Sequence, residues 1–513
     1  MIKRFAILAI PLALMLSCYK DLSTEATREL PGIEITGVPD TLDVLFGDEI
    51  QLHAVATLGG EEYDGFEYEW AIDFKPGVSK DRMSLSETQD VSYRVANSPN
   101  ASPYCLSFTA TDTQSGLSKT VSCFVFVNSS LGEGVLVAHT RDGGMTSDFD
   151  LLANKFVTYG YTSDAPRYTR DIFALANEKP LDGKVNALLP VVRSDGAVYN
   201  ETLILVGTDE HLFALDPLTF TVAKQDGALF NGFKESTFEV HNLINYGQIM
   251  TAAQINGKLW LNICHTNNTF NIAGYSGIPS DVFTPTNVGY SYAVQQSDVA
   301  FFNEAEGKFY YMHAQFSGYA SFAQVSDPIG ADLAGGKCLW AGAGRDARCT
   351  FLIEDAGGKH HIVNIHPSIK EMVHYSLEAS QWLPDAKYFA FCDNADLVFY
   401  ATDDAIYSTV ISGNITQNKK LSWKPASADE KITRILQYKQ AWYGTGNQAI
   451  ADFNFLLPTH RSMLIIVTQN SVTGEGKIYL RGFNVSTGLF TFNGDYGSFG
   501  GFGDITAICT TLR

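Results

Sequence analysis

The sequence predicts an all-β protein in two folded parts, a β-sandwich over residues 33–128 and a β-propeller of about six to eight blades over residues 129–513. Three observations carry this. Short runs in which apolar and polar residues alternate recur along the chain, bounded by Gly, Asp and Asn, as in strands with one buried face. A turn-then-aromatic phrase returns at a period near fifty: Gly257-Lys258-Leu259-Trp260, Gly307-Lys308-Phe309-Tyr310, Gly358-Lys359-His360-His361 and, later, Gly476-Lys477-Ile478-Tyr479. No amphipathic helical pattern interrupts these units, and such a period with a few strands per unit is that of propeller blades.

Residues 1–17 read as a signal peptide. Lys3 and Arg4 precede an apolar run from Phe5 to Leu16 that is broken only by Pro11. About a dozen apolar residues cannot cross a hydrocarbon layer of ~30 Å as a helix, whereas the layout suits export. Ser17-Cys18 resembles the lipobox of bacterial lipoproteins, with Leu14, Met15 and Leu16 fitting loosely. That resemblance implies that Cys18 becomes the lipidated first residue, which anchors the chain to a membrane. The alternative is a plain signal peptide cut elsewhere. Tyr19-Lys20-Asp21 resembles the Lys-plus-acid tag that sends Bacteroidota-type lipoproteins to the outer face of the outer membrane. Residues 18–32, polar and ending in Pro31-Gly32, form the expected tether.

The expected sandwich begins at Ile33. Ile50 to Ala56 alternates, and further strands are expected at 66–72, 92–95, 104–110 and 119–127. An early Gly47-Asp48 turn, the strand containing Tyr68 and Trp70, and the late Thr111-Asp112 turn together resemble a polycystic-kidney-disease-type (PKD-like) Ig-like domain. Ile72-Asp73-Phe74 stands where that family carries a Trp-Asp-Phe-Gly-Asp run, which points to the divergent branch found in surface lipoproteins. Trp70 is expected to fill the core.

In the C-terminal part, Leu203 to Thr208 leads through Asp209-Glu210 into His211 to Pro217, and looser copies occur at Asp396 to Tyr400 and Gln440 to Tyr443. Glycine in the Gly-Lys turns supplies positive φ. The period gives seven or eight blades, or six or seven if segments 225–248 and 444–461 are inserts. Asp504 to Cys509 is expected to close the ring against Gly134 to Val137. The competing architecture is two further sandwiches.

Loss of Lys3 and Arg4 with the signal leaves 34 basic against 56 acidic residues, near −22. Such a field repels nucleic acid and anionic headgroups, which excludes polyphosphate partners. No second apolar stretch reaches transmembrane length. Among the cysteines, Cys105 and Cys123 flank the turn at Asp112 to Gly116, and Cys338 and Cys349 flank Ala341 to Asp346. Facing positions in a hairpin would put each pair within disulfide reach; otherwise each is a small buried hydrophobe. Cys264, Cys392 and Cys509 read as core.

Catalytic motifs are scarce. The chain contains no H-E-x-x-H, no G-x-S-x-G and no Walker A sequence. Gly342 to Ala347 matches a dinucleotide fingerprint but sits in a tight hairpin. His360, His361 and His366 read as blade histidines rather than zinc ligands, and Asp148 and Asp150 as a solvated loop rather than a calcium site. No metal and no cofactor is expected. The acidic doublets Asp209-Glu210, Glu354-Asp355 and Asp403-Asp404 cannot each act as a catalytic pair, because neighbours on a strand point to opposite sides. What remains is a set of aromatics in Gly- and Asn-rich turns: Tyr290, Tyr292, Trp340, Trp442, Tyr443 and Tyr496. Flat rings stack on sugars or hold peptide side chains; the alternative is that they fill space between blades.

Taken together, the anchor, sandwich and propeller resemble the PKD-like family lipoproteins of Bacteroidota-type bacteria. That resemblance implies a non-catalytic cell-surface protein that binds or positions oligosaccharide or peptide for a SusC/SusD-type importer in the outer membrane. A surface glycoside hydrolase or lyase, and a structural subunit that docks on the transporter without nutrient, are the alternatives.

Overall fold

The computed structural model describes residues 31–511 apart from 77–80, 130, 195–198, 231–235, 247–249, 264–270, 273–281, 292–297, 315–319, 326–331, 367–370, 378–381, 383–384, 412–419 and 441–455. The signal peptide, Cys18, Cys264, Tyr292, Trp442 and Tyr443 therefore lie outside the described residues. The chain separates into two compact units. One comprises residues up to 44, 49–95 and 100–127; the other comprises 45–48, 96–99 and 128–513. Among the described residues no helix is long and apolar enough to cross a membrane.

The first unit is built from antiparallel strands. Its largest sheet runs in the order Thr41–Leu45, Ser118–Asn128, Tyr104–Asp112, Phe66–Asp73 and Arg82–Ser86. A three-stranded sheet joins Ile33–Thr36, Val55–Leu58 and Glu61–Glu62, and Glu49–His53 pairs with Asp90–Arg94. In Phe66–Asp73, Glu67 and Glu69 are exposed while Phe66, Trp70 and Ile72 are buried. Trp70 is fully enclosed, as expected, with its ring 4.8 Å from Phe108 and its indole N–H donating to the Gln89 carbonyl at 3.3 Å.

The register of this sheet corrects the first cysteine pair. Thr111 faces Ser118, so Cys105 faces Phe124 and Cys123 faces Leu106. An offset of one residue sends the two thiols to opposite faces of the sheet. The turn itself sets that offset, since Asp112 and Leu117 close it through their backbones and the Asp112 carboxylate accepts from the Gln114 N–H at 3.0 Å. Both cysteines are free and buried.

The second unit contains seven antiparallel sheets among its described residues, six of four strands and one of five, a propeller-like arrangement within the expected range of blades. Blade 1 combines Asp504–Thr511 with Gly134–Thr140, Thr146–Ala153 and Arg167–Thr169. Blade 2 contains Val185–Ser194, Tyr199–Thr208, Leu212–Leu215 and Val222–Gln225. Blade 3 contains Val240–Tyr246, Met250–Ile255, Lys258–Ile263 and Asn271–Ile272. In blade 4 the strands are Val288–Tyr290, Asp298–Asn303, Lys308–Ala314 and Ala320–Gln324. In blade 5 they are Lys337–Ala343, Cys349–Glu354, His360–His366 and Glu371–Leu377. Blade 6 has Tyr388–Phe391, Leu397–Ala401, Ile406–Val410 and Lys420–Trp423. Blade 7 has Glu430–Gln437, Met463–Asn470, Gly476–Phe483 and Phe490–Phe502.

The first-named strands lie innermost. The C-terminal Asp504–Thr511 is the inner strand of blade 1 and pairs with Gly134–Thr140, Val137 facing Ile508, so the two ends of the unit close one sheet as expected. Apolar cores fill the spaces between successive sheets. Val135 and Val137 of blade 1 pack with Ile465, Val467 and Ile478 of blade 7, and Phe302 and Phe309 of blade 4 pack with Phe351 and Val363 of blade 5. Each such side chain withdrawn from water contributes roughly 1.5–3 kcal/mol, so a blade is stabilised mainly by its neighbours.

The Gly-Lys phrases fall where the third strand begins in blades 3, 4, 5 and 7. Gly257, Gly307 and Gly358 have positive φ (71°, 67° and 81°), as the turns require; in blade 7 Gly474 takes that role and Gly476 begins the strand. The looser copy at Asp396 to Tyr400 is out of phase, because Leu397–Ala401 is the second strand of blade 6. Cys338 and Cys349 do not face each other: Cys338 opposes Ile353 and Cys349 opposes Ala343. The strand of Cys338 continues through Gly342 and Ala343, which shortens the turn and staggers the thiols, and the two lie in one core without a disulfide between them.

Candidate functional site

Inner strands from all seven blades converge on a single cavity of about 350 Å³. Leu189 and Pro190 come from blade 2, Leu243 to Asn245 from blade 3, Tyr290 from blade 4 and Trp340 from blade 5. Phe389 to Phe391 come from blade 6, Ile435 to Gln437 with Lys439 and Gln440 from blade 7 and its continuation, and Ile508 to Thr510 from blade 1. In most blades these are residues from the later part of the inner strand. The cavity therefore lies toward the end where inner strands finish, away from the Gly-Lys turns at the other end of each antiparallel blade.

Its walls are largely apolar and aromatic, and its polar groups are tightly tied. Trp340 stacks on Phe391 with ring centroids 4.5 Å apart, while Phe389 stacks on Trp382 at 5.5 Å. Asn245 donates to the Pro190 carbonyl at 2.7 Å, joining blades 3 and 2. Gln437 donates to the Asn394 side chain and the Arg461 carbonyl, each at 2.9 Å, and accepts from the Asp393 N–H. Gln440 donates to buried Glu133 at 2.6 Å and accepts from the Leu457 N–H at 2.9 Å. The Thr510 hydroxyl donates to the Lys439 carbonyl at 2.8 Å. These amides hold the ring together.

Behind the wall, Asp393 is enclosed between two cations. Lys439 Nζ lies 3.0 Å from its Oδ2, and Arg461 Nε lies 2.6 Å from its Oδ1. Burial alone would push the Asp393 carboxyl up, but Lys439 and Arg461 outweigh it and hold it below the usual carboxylate range. Burial pulls Lys439 down, and Asp393 reverses this, so the ammonium keeps its charge. Burial and the adjacent Arg461 lower His460 to about 4, which leaves it neutral near pH 7.

The aromatic candidates divide. Tyr290 and Trp340 line the cavity. Tyr496 does not: its ring stacks on Phe156 at 4.5 Å and belongs to the packing between blades 7 and 1. Lys439, Asp393 and Arg461 escape sequence reasoning. Their only signal is a charge next to apolar strand residues, as in Phe389 to Asp393, and that pattern is not specific.

Other expected groups are dispersed. Asp209-Glu210 and Asp403-Asp404 occupy turns between second and third strands of blades 2 and 6, Glu354 ends the second strand of blade 5 with Asp355 opening the turn, and none of them lines the cavity. Asp403 and Asp404 pair with Lys387 and Lys431. His361 is held between Asp355 and His374, 2.8 Å from each, and His360 packs on Trp382, consistent with blade histidines.

Asp148 and Asp150 correct the loop reading, since both are buried on the strand Thr146–Ala153. Asp148 accepts from the N–H of Phe173 and Ala174 at the start of the short helix Ile172–Asn177. Burial raises its pKa to about 6. Asp150 accepts from Arg170 Nη1 at 2.6 Å and the Asp171 N–H at 2.9 Å, with His139 Nε2 3.2 Å away. His139, Asp150 and Asp171 offer ligand atoms within 4.8 Å of one another, but Arg170 and Arg141 already pair with the two carboxylates. That chemistry is an ion-pair network. Arg170 also donates to the Gly500 carbonyl, which ties the outer strands of blades 1 and 7.

Fold and cavity thus define an all-β protein with a propeller-like unit that carries a small central pocket. No family model matches the chain, and no curated protein matches it. Among solved structures, it is similar to a quinoprotein alcohol dehydrogenase-like protein of Bacteroides thetaiotaomicron, with 13% identity and a TM-score of 0.49, over 94% of this chain and 99% of that one. A periplasmic gluconolactonase of Pseudomonas aeruginosa gives 10% identity and a TM-score of 0.32, over 70% and 95% of the two chains. A lectin of Aleuria aurantia gives 8% and 0.33, over 62% and 95%. Each of these three scores is below 0.5, so none bears on the site or its chemistry.

Proposed function

We propose that this protein is a non-catalytic binding protein of the bacterial cell surface, anchored through Cys18, which captures a nutrient for an outer-membrane importer of the SusC/SusD type. In this reading the N-terminal unit is an Ig-like, PKD-like spacer and the propeller-like unit presents the ligand site. The observation that carries the reading is the cavity. Seven inner strands supply it, aromatic faces line it, and its size falls at the small end of the ~300–1,000 Å³ typical of ligand pockets.

The glycosidase or lyase alternative needs two carboxylates facing one space. Among the described residues none lines the cavity, and Asp393 is neutralised by two cations. The test is a screen of the soluble protein against oligosaccharides and peptides that reads both retention and products. Retention without new reducing ends or amino termini is expected. Release of products overturns the reading.

A further inference from the structure

Among the described residues, the cavity's lining carries one formal charge. Among the described residues around it, Lys439 alone is charged near neutral pH; the rest are apolar, aromatic, amide, hydroxyl or thiol. The surrounding network places its acids further back. Asp393 is 2% exposed, whereas the Lys439 side chain is 21% exposed. Glu133 is buried and bound by Gln440 and the Tyr159 N–H. Asp393 also serves Arg461, so a single carboxylate is shared by two cations.

We propose that the cavity selects a ligand bearing a carboxylate, seated on the Lys439 ammonium, with a flat or apolar body against Tyr290, Trp340 and Phe389. This deepens the binding-protein reading and rests on it. A lysine held among apolar walls is poorly solvated, and a charge-assisted hydrogen bond from it is stronger there than in bulk water. The cavity amides are committed to Pro190, Asn394, Arg461 and Glu133, so they add little discrimination among neutral hydroxyls. Tyr290 and Lys439 line the same cavity, so an aromatic residue and the cation are available to one ligand. About 350 Å³ suits one sugar ring or the end of a short peptide rather than a long chain. Carboxylates of that size come from uronic acids or from peptide C-termini.

Two matched pairs distinguish these sources, measured by titration calorimetry on the full soluble protein. One pair is an oligosaccharide ending in glucuronic acid and its neutral glucose counterpart. The other is a short aromatic peptide with a free C-terminus and its C-terminal amide. The acidic member of one pair is expected to bind at least about tenfold more tightly, the scale of one charge-assisted hydrogen bond. Lys439→Met should erase the preference and Lys439→Arg should retain part of it. The wild-type comparison stands even if Lys439→Met fails to fold.

Equal or better binding by the neutral members overturns the carboxylate inference and leaves the binding-protein reading in place. A folded Lys439→Met that keeps the preference also overturns it. No binding by any of the four probes overturns the inference; the binding-protein reading is then judged separately by the broad screen.

Discussion

At the scale of single residues, Asp148 makes the most distinctive prediction. Its carboxyl titrates near 6 in the folded chain because it is buried, against about 3.9 for a free aspartate. Between those values the folded state holds the proton and the unfolded state does not. The stability that Asp148 contributes therefore falls as pH rises from about 4 to 6 and then levels, by an amount on the order of 3 kcal/mol; His460, lowered to about 4, acts in the opposite sense over the same window. Asp393 and Asp150 have lowered pKa values, so their contributions are lost only at more acid pH. Asp148→Asn keeps an oxygen for the Phe149 and Phe173 N–H groups and removes the ionisation. His460 titrates alike in both proteins, so urea midpoints measured from pH 4 to 7 should fall for the native protein relative to Asp148→Asn; parallel curves contradict the assignment. Sequence reasoning misplaced this residue because Gly143-Gly144 beside it signals a loop. The loop ends at Met145, and the strand starts at Thr146.

At the scale of elements, hairpin register decides what spacing alone leaves open. Equal distances from a turn placed Cys105 opposite Cys123, but a one-residue offset alternates the face of every side chain. Intact mass after alkylation of the unfolded, unreduced protein should show labelled thiols at Cys105, Cys123, Cys338 and Cys349. A cross-linked Cys105–Cys123 peptide would contradict the register. Burial pushes the Cys123 thiol up to about 11, so it stays protonated and unreactive in the folded state. The blades were legible because Gly-Lys demands a turn and the following aromatics demand a strand. The phase of blade 6 was not, since Asp396 to Tyr400 has the same composition in its second strand as other blades have in their third. Closure by Asp504–Thr511 was legible from its apolar alternation.

At the scale of the whole molecule, a strongly acidic protein carries a cavity whose one lining charge among the described residues is positive. The surface field slows the approach of anions, whereas the local cation rewards those that arrive. Sequence reasoning reached half of this site. Tyr290 and Trp340 were visible as aromatics next to glycine, while Lys439, Asn245 and Gln437 emerge only when seven inner strands converge. Such convergence joins residues more than 300 positions apart, for example Leu189 and Thr510, and no local pattern encodes it. The most direct test of the central claim is retention of the screened ligand by Trp340→Ala, with Phe492→Ala, on a fully exposed ring, as the control. The account predicts that Trp340→Ala loses most retention, that Trp340→Phe recovers part of it, and that Phe492→Ala binds normally. Unchanged retention by a folded Trp340→Ala, together with loss in Phe492→Ala, would place the ligand site elsewhere and contradict the account.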